Sequence, residues 1–250
     1  MSASVLTGKA DIHLHSSYSD GVMTIPELLD WVEEKTDLDV IAITDHDELA
    51  GALEARERVA RGRYRFDVIV GMEVSTREGH LLALFLERPI RAARPLVETI
   101  ADVQAQGGIC VVPHPLSWLT TSVGARALKR ALAQQLSGLV GIEVANPTLA
   151  GQVTRRKVAR LNRLQYGLAE TGGSDAHFLQ SVGTAFTRFP GRTAADLRQA
   201  LLERATVGVQ QEGKRAPVTV RDLLRQQSRS LIWLPAKRMR QRVRERRALA

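Results

Sequence analysis

The 250 residues include 35 Lys and Arg against 27 Asp and Glu, with 44% hydrophobic and 4% aromatic content, one Cys and six His. That suits one globular domain with a short extension and argues against a disordered chain. Cys110 alone excludes an intramolecular disulfide, and no apolar run approaches the roughly eighteen residues of a membrane span. Positions 1–9 lack the basic and apolar regions of a secretory signal, so a reducing, cytoplasmic setting is expected. The net charge of +8 is unevenly placed: residues 229–250 hold eight basic residues and one acid, Glu245, and carry +7 of it. Overall charge therefore describes the C-terminal stretch and says little about the body.

In chain order, short apolar runs predict strands over 10–15, 40–44, 67–73, 80–86, 109–113, 140–145 and 166–170. Amphipathic stretches predict helices over 25–35, 48–61, 94–106, 124–135, 152–164 and 193–203. Thr24 offers an N-cap to the first helix, and Pro26 falls in its first turn, where a missing N–H costs little. The repeated alternation implies a parallel sheet. Seven strands in this length favour a closed barrel, with a doubly wound open sheet as the alternative. One junction departs from the pattern, because the six residues 74–79 are too few for a crossover helix, and a hairpin is expected there. The Gly-Lys-Arg-Ala-Pro run at 213–217 reads as a linker, dividing a body over 1–212 from a basic extension over 213–250.

The chemistry lies where polar residues end the strands. His13 and His15 stand two apart in the first strand, so both imidazoles leave one face. Asp20 follows in a Ser-Asp-Gly turn that can return its carboxylate to the same rim. The second strand ends in Asp45 and His46 and the third in Glu73; His80 follows the short link, His114 closes the fifth run, and Asp175 and His177 are again two apart. All six histidines and three of the carboxylates thus fall where an α/β barrel builds its active site. These N and O donors exceed what one tetrahedral ion takes and would supply two or three divalent ions, with Zn, Mn or Fe as candidates in the absence of thiolate. Clustered ions generate a nucleophile from water at neutral pH and clamp phosphoryl oxygens, and phosphate monoesters are among the slowest bonds to break unaided. The pattern points to phosphoester hydrolysis.

Other residues carry weaker signals. Asp45 either orients a neighbouring ligand or caps the helix that follows. Glu143 and Asn146 end the sixth strand on the same rim and are candidates for substrate binding or ligand support. Arg77 is either a bidentate phosphate ligand or a solvated loop arginine. Gly172 and Gly173 are expected to permit a tight turn before Asp175.

His13-x-His15 with Ser19-Asp20-Gly21, Thr44-Asp45-His46, Gly71-Met72-Glu73 with Gly79-His80-Leu81-Leu82, His114-Pro115 and Gly173-Ser174-Asp175-Ala176-His177 resemble, in order and type, the successive motifs of the PHP (polymerase and histidinol phosphatase) family. The resemblance covers about residues 9–211. It implies a distorted seven-stranded β/α, TIM-like barrel with a trinuclear metal centre. Position by position, it implies one metal at His13, His15, Glu73 and Asp175, a second at Glu73, His80 and His114, and a third at Asp20, His46 and His177. Asp20, His46, Glu73, Asp175 and His177 become the expected catalytic residues, working with a metal-bridging hydroxide that attacks phosphorus in line. Within the family the likeness is greatest to stand-alone phosphoesterases acting on nucleotides and other small phosphate esters. Such nucleotide phosphatases commonly carry a helical cap between the Glu/His pair and the His-Pro motif. Only 33 residues separate His80 from His114 here, so no cap is expected.

Val220, Leu223, Leu224 and Leu231 predict an amphipathic helix from about 218, ending at Leu234 and Pro235. The tail is read as a helix packed on the barrel with a solvated end, as a polybasic arm for nucleic acid, or as an interfacial segment with Trp233 at anionic lipid. The expected function is a metal-dependent phosphomonoesterase on a small phosphorylated metabolite or nucleotide. The rivals are a nuclease acting on oligonucleotide ends and a non-catalytic module that binds a phosphate ligand or polyanion.

Overall fold

A computed structural model describes residues 5–211 and 220–233. The linker expected at 213–217 and the basic residues beyond 233 lie outside the described residues. Among the described residues nine strands form one sheet: β1 (Leu6–Leu14), β2 (Val40–Ile43), β3 (Asp67–Ser75), β4 (His80–Leu84), β5 (Ile109–Val112), β6 (Leu139–Ala145), β7 (Ala169–Gly172), β8 (Ala185–Pro190) and β9 (Val207–Gln210). Their spatial order is β7-β6-β5-β4-β3-β2-β1-β8-β9. The helices are α1 (Ile25–Lys35), α2 (Ala50–Val59), α3 (Leu96–Ala105), α4 (Ala125–Ala133), α5 (Leu149–Gln152), α6 (Arg155–Leu161), α7 (Ala194–Glu203) and α8 (Val220–Ser228). None of the described helices is long and apolar enough to cross a membrane.

The sheet curls until its ends meet. The Thr187 hydroxyl of β8 donates to the Gly172 carbonyl of β7 and accepts from the Gly172 N–H, both at 3.0 Å, and the Thr206 hydroxyl donates to the Glu170 carbonyl at 2.8 Å. Hydroxyls thus complete a nearly closed barrel where a backbone ladder would otherwise run. Ile12, Val40, Leu82, Val111 and Phe189 pack together inside it, while Leu14, Ile43, Met72, Cys110 and Ile142 face the surrounding helices.

Four differences from the sequence expectation have local causes. The described barrel has nine strands rather than seven, because β8 returns antiparallel to β1 with no α-helix between it and β7, and β9 follows α7 to pair antiparallel with β8. β7 begins three residues later than expected, since a π-helical turn (Asn162–Tyr166) carries the preceding helix through Tyr166 to Gly167, whose φ of 61° ends it. The helix expected over 152–164 is divided: Thr148 caps the single turn α5, and α6 starts only at Arg155. The helix expected from Glu48 begins at Ala50, with the Glu48 carboxylate accepting the Leu49 and Ala50 N–H groups.

Other expectations hold in detail. Thr24 caps α1 in a reciprocal box with Glu27, whose carboxylate accepts the Thr24 N–H at 2.8 Å. The 74–79 link is a hairpin, pairing Ser75 with His80 and Glu73 with Leu82.

β1 carries the irregularity that matters most for the site. Ala10 pairs with Val40 and Asp11 with Ile41, but the next pair is Leu14 with Ile43, so three steps on β1 match two on β2. This bulge places one extra residue in β1 and inverts the alternation beyond it. Ala10 and Ile12 face the interior while Leu14 faces the helices. His13 and His15 therefore turn inward, at the open end of the barrel.

Candidate metal centre

Each site residue is delivered by a strand end. The bulged β1 supplies His13 and His15. The loop after β7 lies along the end of β1, with the His15 N–H donating to the Ala176 carbonyl at 2.9 Å, and so brings Asp175 and His177 beside them. In the β3–β4 hairpin Glu73 and His80 face the same side, since Ser75 opposite His80 is two residues from Glu73. Because β4 runs antiparallel to both neighbours, its first residue lies at the rim where the parallel strands end. His114 and Asp175 have φ of 28° and 52°, left-handed values that turn these side chains off the strand ends.

Glu73 sits at the centre. Its Oε1 lies 2.9 Å from His80 Nδ1 and 3.1 Å from His114 Nε2, and its Oε2 lies 3.2 Å from His46 Nδ1, 3.3 Å from His15 Nε2 and 3.4 Å from His13 Nε2. Asp175 Oδ1 is 3.5 Å from His13 Nε2 and 3.4 Å from His15 Nε2. Asp20 Oδ1 is 3.3 Å from His177 Nε2, and Asp20 Oδ2 is 3.9 Å from His46 Nε2. Four sets of potential ligands each lie within 4.8 Å of one another: His15, Asp20, His46 and His177; His13, Glu73 and His114; His13, His15 and Asp175; and His46, Glu73 and His80. All nine residues expected from the sequence thus come together.

Whether these groups suit metal ions can be tested on the ring nitrogens. Both nitrogens of His15 and the Nδ1 atoms of His46 and His80 are buried with no hydrogen-bond partner. They approach carboxylate oxygens at ion-pair distances without hydrogen-bond geometry. Two donors each about 2.1 Å from one ion are separated by about 3.0–3.4 Å, so these spacings fit atoms that share a cation. An imidazole nitrogen buried without a partner is otherwise costly.

Surrounding groups select the tautomers. His13 Nδ1 lies 3.1 Å from Glu143 Oε1, His114 Nδ1 is 3.0 Å from the Ser122 hydroxyl, which itself donates to the His114 carbonyl, and His177 Nδ1 donates to the Asp175 carbonyl at 3.0 Å. With the proton on Nδ1, each ring leaves its Nε2 lone pair for the centre. The other oxygen of Glu143 accepts from the His114 N–H at 2.7 Å and from Asn146 Nδ2 at 2.8 Å. Both Glu143 and Asn146 are buried beneath the histidines.

The charges depend on one another. Burial pushes Glu73 and Asp175 upward, but the adjacent imidazoles, His46 and His80 at Glu73 and His13 at Asp175, outweigh it and hold both well below the usual carboxylate range. Burial likewise lowers His15, yet the Asp175 and Glu73 carboxylates raise it to about 10. At His46 burial prevails over Glu73 and Asp20, and the ring falls to about 3.

Asp45 supports the site rather than capping α2 with its side chain: its carboxylate accepts from the Ser16 N–H at 2.8 Å and the Ser16 hydroxyl at 2.6 Å, and also from the Ser19 hydroxyl, fixing the loop that carries Asp20. Arg77 is exposed and its Nε donates to the Ala93 carbonyl at 3.2 Å. Gly173 is required for close approach: a Cβ there would lie 2.4 Å from Glu143 Oε1 and 2.6 Å from His13 Cβ, and the left-handed residue of this turn is Asp175. Sequence reasoning missed Asp11 and Ser122. Asp11 is buried and accepts from the Ser174 N–H at 3.0 Å and the Gly183 N–H at 2.8 Å, tying the Asp175 loop to β1; burial raises its carboxyl to about 6. A carboxylate inside an apolar strand, two residues before His13, was the available signal. Ser122 has none.

A family model described as PHP domain matches residues 11–155, and one described as PHP-associated matches residues 155–206. An uncharacterized protein of Methanocaldococcus jannaschii is 34% identical over 128 residues, covering 47% of this chain and 74% of that one. The 5'-3' exoribonuclease Rnm of Salmonella typhimurium is 36% identical over 102 residues, 39% of this chain and 34% of that one. Among solved structures, a two-domain protein of Bacteroides vulgatus containing a predicted PHP-like metal-dependent phosphoesterase superposes with a TM-score of 0.65 at 24% identity, covering 87% of this chain and 68% of that one.

Proposed function

This chain belongs to the PHP family, and on that premise we propose that it is a metal-dependent phosphoesterase acting as a phosphomonoesterase on a small phosphorylated metabolite or nucleotide. The observation that carries the reading is the group of buried imidazole nitrogens without hydrogen-bond partners around Glu73. His13, His15, Glu73 and Asp175 are assigned to one divalent ion, Glu73, His80 and His114 to a second, and Asp20, His46 and His177 to a third. Zn, Mn or Fe held there supplies a nucleophile from water and neutralises phosphoryl oxygens.

The chain's own contribution is preorganisation. Glu143, Ser122 and the Asp175 carbonyl hold protons on Nδ1 of His13, His114 and His177, keeping their Nε2 atoms available. Asp45 and Asp11 fix the loops bearing Asp20 and Asp175. Rigid placement of the ligands avoids reorganisation when charge develops on the phosphoryl group.

Elemental analysis of purified protein beside a phosphatase panel tests the reading. Stoichiometric metal is expected, with activity abolished in a His13→Ala/His15→Ala protein. Metal-free purified protein that takes up none on incubation, or activity indifferent to both substitutions, overturns it. The likeness to an exoribonuclease over 102 residues favours a second reading, a nuclease acting on strand ends. That reading predicts oligonucleotide degradation with a steep salt dependence, weakened by removing residues 236–250.

A further inference from the structure

Helix α8 bears on the active site. Arg229, which follows α8, donates from Nε to the Ser19 carbonyl at 3.2 Å and from Nη2 to the same carbonyl at 3.0 Å and to the Ser17 carbonyl. This basic residue of the tail is thus engaged with the barrel. It grips from outside the loop that Asp45 holds from within, immediately before Asp20. Three residues earlier on the same face, Gln226 lines a cavity of about 160 Å³ together with Asp175, His177, Thr148, Ser174 and Ser181. Val220, Leu224 and Leu231 are exposed, and the two described side chains of this segment that reach the barrel, Gln226 and Arg229, are polar. The connection from β4 to β5 holds only α3, and the wall beside His177 comes from the far end of the chain.

We propose that α8 is a substrate-selecting wall of the active site. Gln226 is the specificity-determining residue, hydrogen-bonding the leaving-group portion of a phosphoester whose phosphoryl end reaches Asp175 and His177. Arg229 is a positioning residue that keeps the helix and the Asp20 loop in register. This rests on the phosphoester reading above. Gln226 Oε1 accepts from the neighbouring Gln227 Nε2 at 3.1 Å, which leaves the uncharged NH2 group to donate, and this suits a neutral hydroxylated or heterocyclic leaving group, as in a sugar or nucleoside monophosphate; a second phosphate would call for a cation. The cavity is smaller than the roughly 300–1,000 Å³ that encloses a drug-sized ligand, so it holds the reacting end of the substrate and leaves the remainder at the rim.

The test uses the full chain, metal-loaded, as wild type and as Gln226→Ala, Arg229→Ala and Arg229→Lys, with three readouts: bound metal, hydrogen exchange of residues 17–20, and steady-state kinetics on a nucleoside monophosphate, a sugar monophosphate and phenyl phosphate. Arg229→Ala is expected to speed exchange at 17–20 about tenfold with metal content unchanged, and Arg229→Lys to restore part of the protection, because an ammonium still donates to the carbonyls. Gln226→Ala is expected to raise KM about tenfold for the polar leaving groups, the scale of one lost neutral hydrogen bond, while kcat and the phenyl phosphate KM stay level. Unchanged exchange in Arg229→Ala overturns the docking of α8. Equal KM changes on all substrates, or none, overturn the role of Gln226. If metal-loaded wild type hydrolyses nothing in the panel, the phosphoester reading fails and the Gln226 assignment falls with it, while the exchange readout still decides whether α8 docks.

Discussion

Replacing Glu143 with Gln exchanges one oxygen for an NH2 group at nearly constant volume, so its consequence falls on hydrogen bonding. In the native site three donors converge on an acceptor-only carboxylate: His13 Nδ1 at 3.1 Å from Oε1, and the His114 N–H and Asn146 Nδ2 at 2.7 and 2.8 Å from Oε2. The single carbonyl oxygen of the variant serves the two donors at the Oε2 position, which leaves its NH2 facing His13 Nδ1. That nitrogen must then accept, and the ring proton moves to Nε2. Nε2 is the atom 3.4 Å from Glu73 and 3.5 Å from Asp175, and once protonated it has no lone pair for a cation. Loss of such a supporting partner weakens metal binding by about 10–100-fold, or about 1.4–2.7 kcal/mol. Competition against a chromophoric chelator at neutral pH measures the change, with Glu143→Asp as a control that keeps the charge and shortens the reach. Metal affinity within about twofold of wild type, accompanied by a raised KM, refutes the reasoning and makes Glu143 a substrate contact.

Three further outcomes are expected. His15, raised from 6.5 to about 10, stabilises the metal-free fold fully below about pH 6.5, and that contribution is lost as pH rises toward 10. Metal requires the neutral ring, so loading releases protons in this window and the gap between metal-loaded and metal-free melting temperatures should widen with pH; calorimetry that shows the metal-free protein gaining stability from pH 6.5 to 10 counts against the assignment. Gly173→Ala should destabilise the fold by about 1–3 kcal/mol and lower bound metal, because the added methyl meets Glu143 and His13; urea unfolding and elemental analysis decide, and a neutral substitution would show that the neighbours yield. Arg77→Ala should leave kcat/KM within about twofold, as for an exposed side chain held on a loop carbonyl; a rise in KM of about tenfold would instead make Arg77 a phosphate ligand.

The site was legible in the sequence because its chemistry depends on residue type: imidazoles and carboxylates placed at strand ends announce themselves. The hairpin at 74–79 was legible from length alone. What escaped depends on long-range geometry. Glu143 reads as a rim carboxylate until the fold brings it under His13, 130 residues away. Asp11 takes its meaning from amides at Ser174 and Gly183, which no local pattern connects to it. The seven-strand count missed the strands on either side of the expected helix at 193–203, because antiparallel returns such as β8 need none of the helical crossovers that mark the others. The grip of Arg229 on Ser17 and Ser19 spans more than two hundred residues and disappears into a basic run when read linearly.

The bulge in β1 ties the facing of two imidazoles to one irregular step in the ladder. Substitution of Ile12 by another apolar residue leaves the count of residues between Asp11 and Leu14 intact, and the histidines still face inward. A regular ladder at unchanged length would set His13 opposite Ile43 and turn both imidazoles outward beneath the helices, whereas deletion of Ile12 removes the extra residue, keeps Leu14 opposite Ile43 and leaves them inward. In comparing relatives of this chain, a one-residue gap between Asp11 and Leu14 is therefore compatible with an assembled centre, because it takes away the extra residue and leaves the ligands beyond it facing as before.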